Sequence, residues 1–325
     1  MSITIQEHIP LAQFTSIRIG GPARFFLIAK SQADIEEGIR LAQEKNLKIY
    51  FLGGGCNILF PDKGIDGLVI KLQNTELQEV ANGIFTAGAG VGLGFFAQET
   101  AKKGFTGAEW CSAVPGTVGG GVYGNAGAFG GEMKDIVTEI EYIDTELGIK
   151  SKELRIDVLK KNECGFGYRE SIFKKHPEWI IVRAKVRLRP GVVTEGQNLI
   201  KEYLAKKREG QDLGSRSAGC AFKNVKLPND LKAIEKLRQK LEIEPDEFFT
   251  RTKNGIISAG YLIDRLGLKG KRIGGIEVSL KHANFLTNAG NATAEDVIMM
   301  TSLIKEKVRN HFGIQLQEEI QTVGF

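Results

Sequence analysis

Between Trp110 and Gly131 the chain carries no charged residue and eight glycines. The run is as long as a membrane span. Pro115, Asn125 and the glycines are not the composition of a lipid-facing helix, and they suit a backbone wrapped around an anion. A literal G-x-G-x-x-G occurs at Gly119, Gly121 and Gly124. The Rossmann fingerprint needs a strand before it and a helix after it. Cys111 to Pro115 is poor strand material, and so many glycines disfavour a helix. No G-x-x-x-x-G-K-[ST] occurs, which excludes a P-loop. The segment is therefore expected to stay a loop, with Pro115, Gly116, Thr117, Gly119, Gly120, Asn125 and Ala126 around a phosphate.

A second glycine loop, Gly53-Gly54-Gly55-Cys56-Asn57-Ile58, follows the apolar stretch Leu47 to Leu52. Successive N–H groups after a strand can form an anion-binding nest; the same glycines would also serve a plain tight turn. Forty glycines in 325 residues is about 12%, against roughly 7% in ordinary proteins. Two such loops from different α/β segments suggest one long diphosphate ligand held from two sides. A dinucleotide such as FAD fits that better than ATP.

The rest of the composition sets bounds. The length favours two domains, or three. Lys plus Arg minus Asp plus Glu is 44 − 39 = +5, with the charges interspersed. That favours small anions over nucleic acid, which would also ask for stacked aromatics. Cys56, Cys111, Cys164 and Cys220 form no C-x-x-C and sit near no spaced histidine pair, so no metal site is expected. Few scattered cysteines fit a reducing compartment. Met1 to Pro10 lacks an apolar segment, so no signal peptide is expected. The expectation is a cytoplasmic protein with no membrane contact.

Ser31 to Lys45 reads as a helix, with Ser31 and Asp34 as a cap and Ile35, Ile39 and Ala42 as its apolar stripe. Gly67 to Leu72 and Ile84 to Ala87 read as strands. Gly92 to Lys103 reads as a helix offering Phe95, Phe96 and Ala97 to a core. Glu139 to Ile143 and Ile180 to Leu188 are strand-like, and Pro190-Gly191 punctuates the chain. Helices are expected at Leu199 to Arg208, Leu231 to Leu241 and Ala294 to Phe312. The last has Thr293 and Asp296 at its start and Gly313 at its stop. Leu316 to Val323 reads as a closing strand.

Several segments now resemble a known family. Thr15-Ser16-Ile17-Arg18-Ile19-Gly20-Gly21-Pro22, the two glycine loops, Gly167-Tyr168-Arg169-Glu170-Ser171-Ile172-Phe173 and Ala218-Gly219-Cys220-Ala221-Phe222-Lys223-Asn224 occur in order. Val278-Ser279-Leu280-Lys281-His282-Ala283-Asn284-Phe285 and Leu316 to Ile320 follow. Together they resemble the UDP-N-acetylenolpyruvoylglucosamine reductases of peptidoglycan synthesis, from about residue 10 to the C-terminus.

The resemblance implies an α+β chain. A two-lobed FAD-binding domain of the vanillyl-alcohol-oxidase (PCMH) type would occupy 1–72 and 73–192. An α+β substrate-binding domain would occupy 193–325, and its C-terminal strand 316–323 would return to the active site. It implies that NADPH reduces FAD and leaves, and that UDP-N-acetylglucosamine enolpyruvate is then reduced to UDP-N-acetylmuramate by a monomer. The link from Ile172 to Leu199 looks like the family branch without an extra tyrosine-bearing loop.

The resemblance also assigns residues. Arg169 matches the active-site arginine, whose guanidinium suits a carboxylate gaining charge. Glu319 matches the C-terminal catalytic glutamate, with Glu318 as a lesser candidate on the opposite face of a strand. Cys220 stands where many members carry the serine that protonates the α-carbon; a thiol has the same shape and a more acidic proton. Tyr168, Arg208 and Asn224 are expected on the substrate. Lys281 and His282 are expected to shape the site.

The chain departs from the family at Val225, where proline is common, and by an insertion from Lys226 to Gly255 that is a surface elaboration, a cover or a partner site. Two other readings stay open here. One is an FAD oxidase or dehydrogenase of another substrate, with flavin attached at Cys56 or Cys111. The other is a non-catalytic nucleotide-binding module.

Overall fold

The cap at Ser31 forms as its sequence asks. The Ser31 hydroxyl accepts from the Asp34 amide, and the Asp34 carboxylate accepts from the Ser31 amide at 3.0 Å. Such a cap is worth about 1 kcal/mol. Helix Gln32–Glu44 buries Ile35, Gly38, Ile39 and Ala42. Gly38 allows close approach to the sheet beneath, since a Cβ there would lie 2.5 Å from Leu27 Cδ2. That sheet runs Ile5–Pro10, Pro22–Ala29, Ile65–Leu72, Ile49–Leu52. Ile65–Leu72 lies parallel to both neighbours, and its almost unbroken burial is what a central parallel strand requires.

The computed structural model describes residues 3–146, 154–211, 214–252 and 255–325. The chain divides into two compact units. One is 1–9, 22–55 and 65–209; the other is 10–21, 56–64 and 210–325.

The first unit holds the sheet above and a second, five-stranded one. Its order is Ile156–Lys160, Val137–Asp144, Trp179–Arg187, Ile84–Gly88, Leu77–Ala81, and every pairing is antiparallel. A continuous apolar core runs from Leu27, Ile35 and Ile70 to Phe96, Ile140 and Val186. Buried Asn74 donates to Val182 O at 2.7 Å and accepts from the Gly90 amide at 3.1 Å, fixing the turn after Ile84–Gly88. Helix Leu93–Lys102 buries Phe96 and Ala97, whereas Phe95 is 53% exposed. Neighbouring helical residues point about 100° apart, so one phenylalanine takes the core and the other faces out.

The glycine run is not the loop its composition suggests. Val118–Gly124 is a helix, with Thr117 accepting from the Gly120 amide and Asn125 closing it in the left-handed conformation. Each interior glycine costs about 1 kcal/mol relative to alanine. Packing overrides that cost. A Cβ on Gly119 would lie 2.7 Å from Ala89 Cβ, and one on Gly121 would lie 3.3 Å from Leu93 Cδ1. The glycines let this helix sit where alanine would collide.

The second unit is built on an antiparallel sheet ordered Ser217–Cys220, Phe285–Asn288, Ile276–Val278, Arg272–Ile273. Helix Ala294–Phe312 covers its own core with Val297, Met300, Ile304 and Val308. The insertion adds helices Leu231–Leu241 and Pro245–Arg251. Strands Val225–Lys226 and Ile256–Ile257 pair across its base. Leu237, Leu241, Ile243 and Phe248 enter the unit's core, while Leu231 and Phe249 are exposed. Lys253 and Asn254, within this insertion, lie outside the described residues.

The expected closing strand is shorter than read. Only Gln321–Thr322 pairs as a strand, parallel to Ile58–Leu59, and Glu318 makes an isolated antiparallel bridge to Phe222. The tail changes partner and sense within three residues, so no single ladder can run through it. Among the described residues no helix is long and apolar enough to cross a membrane.

Candidate functional site

In the first unit the two glycine segments meet. A Cβ on Gly53 would stand 2.8 Å from Thr117 Oγ1. Lys71 Nζ donates to Gly53 O at 2.6 Å. A cleft of about 460 Å³ opens beside them, lined by Lys30, Lys71, Gln73, Thr75, Gly90 and Thr117. Gly116 has φ +122°, and a Cβ there or on Gly124 would meet nothing within 4 Å. Bare backbone facing open space, with lysines at its margin, fits an anionic group that approaches main-chain amides. A larger hollow of about 920 Å³, lined by Lys134, Lys161, Arg187 and Arg189 among others, contains none of the residues expected from sequence.

Arg169 sits in a tight turn between Gly167 and Glu170, whose backbones exchange hydrogen bonds at 3.0 and 3.2 Å. Its φ is +55°, a conformation that costs a residue with a side chain about 1 kcal/mol or more. Its guanidinium lies 5.4 Å from the centre of the Tyr168 ring, and Nη2 is 3.4 Å from Gly127 O. Tyr168 is 41% exposed. Asn125 is fully buried and bonded within the protein at both ends of its amide. Arg208 is exposed in the last turn of helix Val193–Gly210.

In the second unit, Ser217–Cys220 carries a bulge. Ser217 pairs with Thr287 and Cys220 with Phe285, so one strand has an extra residue. Gly219 takes φ +80° there, and a bulge of this kind re-aims the side chain that follows it. Asn284 then clamps the segment: its side chain accepts from the Phe222 amide at 3.0 Å and donates to Phe222 O at 2.8 Å, while its own carbonyl accepts from the Ala221 amide. The Glu319 amide donates to Ala221 O at 2.8 Å, which seats Glu319 one residue from Cys220 across an antiparallel pairing. Asn57 Nδ2 and Gln321 Nε2 both donate to Glu319 O, at 2.9 and 3.0 Å. Glu319 is half-buried, and Glu318 is exposed and ion-paired to Lys305 at 3.0 Å. Asn224, exposed, accepts from the Ala259 amide at 3.2 Å.

The cysteines divide by environment. Burial pushes the Cys111 thiol well above its ordinary value and that of Cys164 up to about 11. Both act as small apolar groups, and Cys111, with no exposed surface, has no room for flavin attachment. Cys56 and Cys220 are half-buried. Burial also holds His282 below the usual histidine range. Its Nδ1 accepts from the Asn284 amide at 3.3 Å, so His282 supports the residue that clamps Phe222.

Lys71 and Asn284 were not singled out for the site from sequence. Lys71 is a lone lysine one residue before the end of the strand Ile65–Leu72 and carries no local signal. Asn284 lies within the segment Val278 to Phe285, but only the fold shows which backbone it grips.

The parallel sheet with its crossover helix, the antiparallel sheet and the glycine cradle define an FAD-binding flavoprotein, and residues 23–148 match the FAD binding domain family. Residues 211–323 match the C-terminal domain of UDP-N-acetylenolpyruvoylglucosamine reductase. The chain is 35% identical to the enzyme of that name from Carboxydothermus hydrogenoformans over 100% of its own length and 95% of the relative's. It is 33% identical to that of Syntrophomonas wolfei, covering 98% and 95%. The crystal structure of the Thermus caldophilus reductase (MurB) superposes with TM-score 0.73 at 28% identity, covering 99% of both chains. The chain belongs to the UDP-N-acetylenolpyruvoylglucosamine reductase family.

Proposed function

We propose that this chain uses NADPH and FAD to reduce UDP-N-acetylglucosamine enolpyruvate to UDP-N-acetylmuramate, as a cytoplasmic monomer, with Arg169, Cys220 and Glu319 carrying the second half of the reaction. Bound FAD supplies the hydride that passes from NADPH to the methylene carbon of the enolpyruvyl group. Backbone at Gly53, Gly54, Gly55, Cys56, Ile58, Pro115, Gly116, Gly119, Gly120 and Ala126, with the Thr117 hydroxyl, would hold its diphosphate. Lys71 adds positive charge at the base of the same cradle.

The protein's own groups handle the charge and the proton. As hydride reaches the methylene carbon, electron density moves from the double bond to the α-carbon and into the carboxylate. Arg169 binds that carboxylate, and a guanidinium fork gains most where charge is growing. Cys220 gives its Sγ–H proton to the α-carbon, which completes the reduction. The thiolate left behind recovers a proton from water before the next turnover. Glu319 orients the carboxylate end of the substrate and assists the proton's delivery. Tyr168 and Asn224 would contact the diphosphate or sugar, and Arg208 the diphosphate or carboxylate.

The observation that carries this reading is the seating of Glu319 against Ala221, next to the bulged Cys220. Product analysis tests it. Turnover in D₂O places solvent deuterium at the α-carbon of the lactyl ether, and one lactyl ether forms for each NADPH consumed. Consumption of NADPH without a lactyl ether product would overturn the proposal.

A further inference from the structure

We propose that Asn125 is a positioning residue for Arg169, acting on the enolpyruvyl step through that arginine and not by touching the cofactor. The inference rests on the role given to Arg169 above. Asn125 has no exposed surface. Its Nδ2 donates to Glu132 Oε2 at 2.9 Å and to Gly167 O at 2.8 Å, and its Oδ1 accepts from the Lys134 amide at 3.0 Å. A primary amide has two N–H donors, and both are engaged. The Lys134 N–H and the Gly167 carbonyl also fix which end of the amide is oxygen.

Gly167 is the first residue of the turn that presents Arg169. A positive φ on a residue with a side chain persists only where the surroundings over-determine it. Three bonds do so here. Asn125 holds Gly167 O, Lys174 Nζ donates to Arg169 O at 2.7 Å, and Ser171 Oγ donates to Tyr123 O at 2.7 Å. Tyr123 lies in the last turn of the glycine helix and Asn125 caps it, so both ends of the Arg169 turn are tied to the same helix terminus. The left-handed backbone of Asn125, φ +41°, turns its amide onto the turn. Displacing a substrate-holding group by about 1 Å can cost a hundredfold in rate.

The test separates the two half-reactions in purified, FAD-loaded protein. Asn125→Asp keeps the side chain's shape and removes its donors; Asn125→Gly keeps the backbone conformation; Lys174→Met removes a different tie to the same turn. Arg169→Lys is run beside them. Each Asn125 variant is expected to retain FAD and to be reduced by NADPH within about twofold of the parent. Its reoxidation by the enolpyruvyl substrate is expected to slow about tenfold or more. Lys174→Met should show the same split, and it decides the matter if the Asn125 variants do not fold. Loss of FAD together with loss of flavin reduction would make Asn125 a cofactor residue and overturn the proposal, as would parental reoxidation in the Asn125 variants or, where those do not fold, in Lys174→Met. Parental reoxidation in Arg169→Lys would instead remove the role of Arg169 itself.

Discussion

Asn57 and Glu319, 262 residues apart, are joined by a hydrogen bond of 2.9 Å from the Asn57 amide to the Glu319 carbonyl. Asn57, from the loop Gly53 to Ile58, thereby holds the backbone of the C-terminal acid. Gln321 donates to the same carbonyl, and the Glu319 amide is held by Ala221. The carboxylate thus stands on a segment fixed from both sides.

Two adjacent glutamates should therefore behave differently. Glu319→Gln is expected to slow reoxidation by the enolpyruvyl substrate about 100-fold, within the range for losing a group that handles protons. NADPH should reduce the bound flavin as before. Glu318→Gln loses only an exposed pair with Lys305, worth about 1 kcal/mol or less, and should leave both half-reactions intact. Stopped-flow traces of the two variants side by side check this; equal losses would show that the register of the tail is misread.

At Cys220 the proton donor is a thiol. Cys220→Ser should keep substantial activity, and Cys220→Ala should lose most of it, about 100-fold or more in the reoxidation step. Peroxide should inactivate the parent and spare the serine variant, because oxidation of the sulfur removes the donor. An alanine variant that, once reduced, turns over the substrate at the parental rate would exclude Cys220 as the acid.

Gly119→Ala sets two effects against each other. Helix propensity alone favours the alanine by about 1 kcal/mol. The added methyl would stand 2.7 Å from Ala89 Cβ, and overpacking of this kind costs about 1–3 kcal/mol. Net destabilisation in urea titrations is expected, and an increased midpoint would show that the close approach to Ala89 is easily relieved.

Asp296 links stability to pH. Its carboxylate accepts from the Thr293 amide at 3.0 Å and from Gly275 at 3.1 Å, and the Thr293 backbone bond above all holds it below the usual aspartate range. A carboxyl lowered on folding adds stability above its unfolded pKa of about 3.9, and that stability fades as pH falls through the folded value. Asp296→Asn should cost about 1 kcal/mol at neutral pH, and the gap to the parent should shrink below about pH 4. A gap that stays constant down to pH 2 would show that the charge contributes nothing.

The sequence made capped and amphipathic elements legible. Ser31 with Asp34, and Thr293 with Asp296 and Gly313, bound their helices where local chemistry alone put them. It misled where tertiary contact decides. Val118–Gly124 is helical because Ala89 and Leu93 press against its glycines, and no property of those glycines announces their neighbours. Phe95 and Phe96 are alike in a one-dimensional reading, and only the helix's rotation separates them. The tail Leu316 to Val323 has the residues of a strand but divides its pairing between Phe222 and Ile58–Leu59. For the site, the glycines and the resemblance name candidate residues, while Lys71, which holds Gly53 O, and Asn284, which holds Phe222, depend on partners brought close only by the fold.

The most direct test of the central claim is an anaerobic single turnover. The purified protein is reduced with one equivalent of NADPH and mixed with the UDP-N-acetylglucosamine enolpyruvyl ether. The flavin's yellow absorbance should bleach in the first step and return in the second, with one lactyl ether formed per flavin. Protein that carries and reduces FAD but does not regain its colour with this substrate would contradict the account.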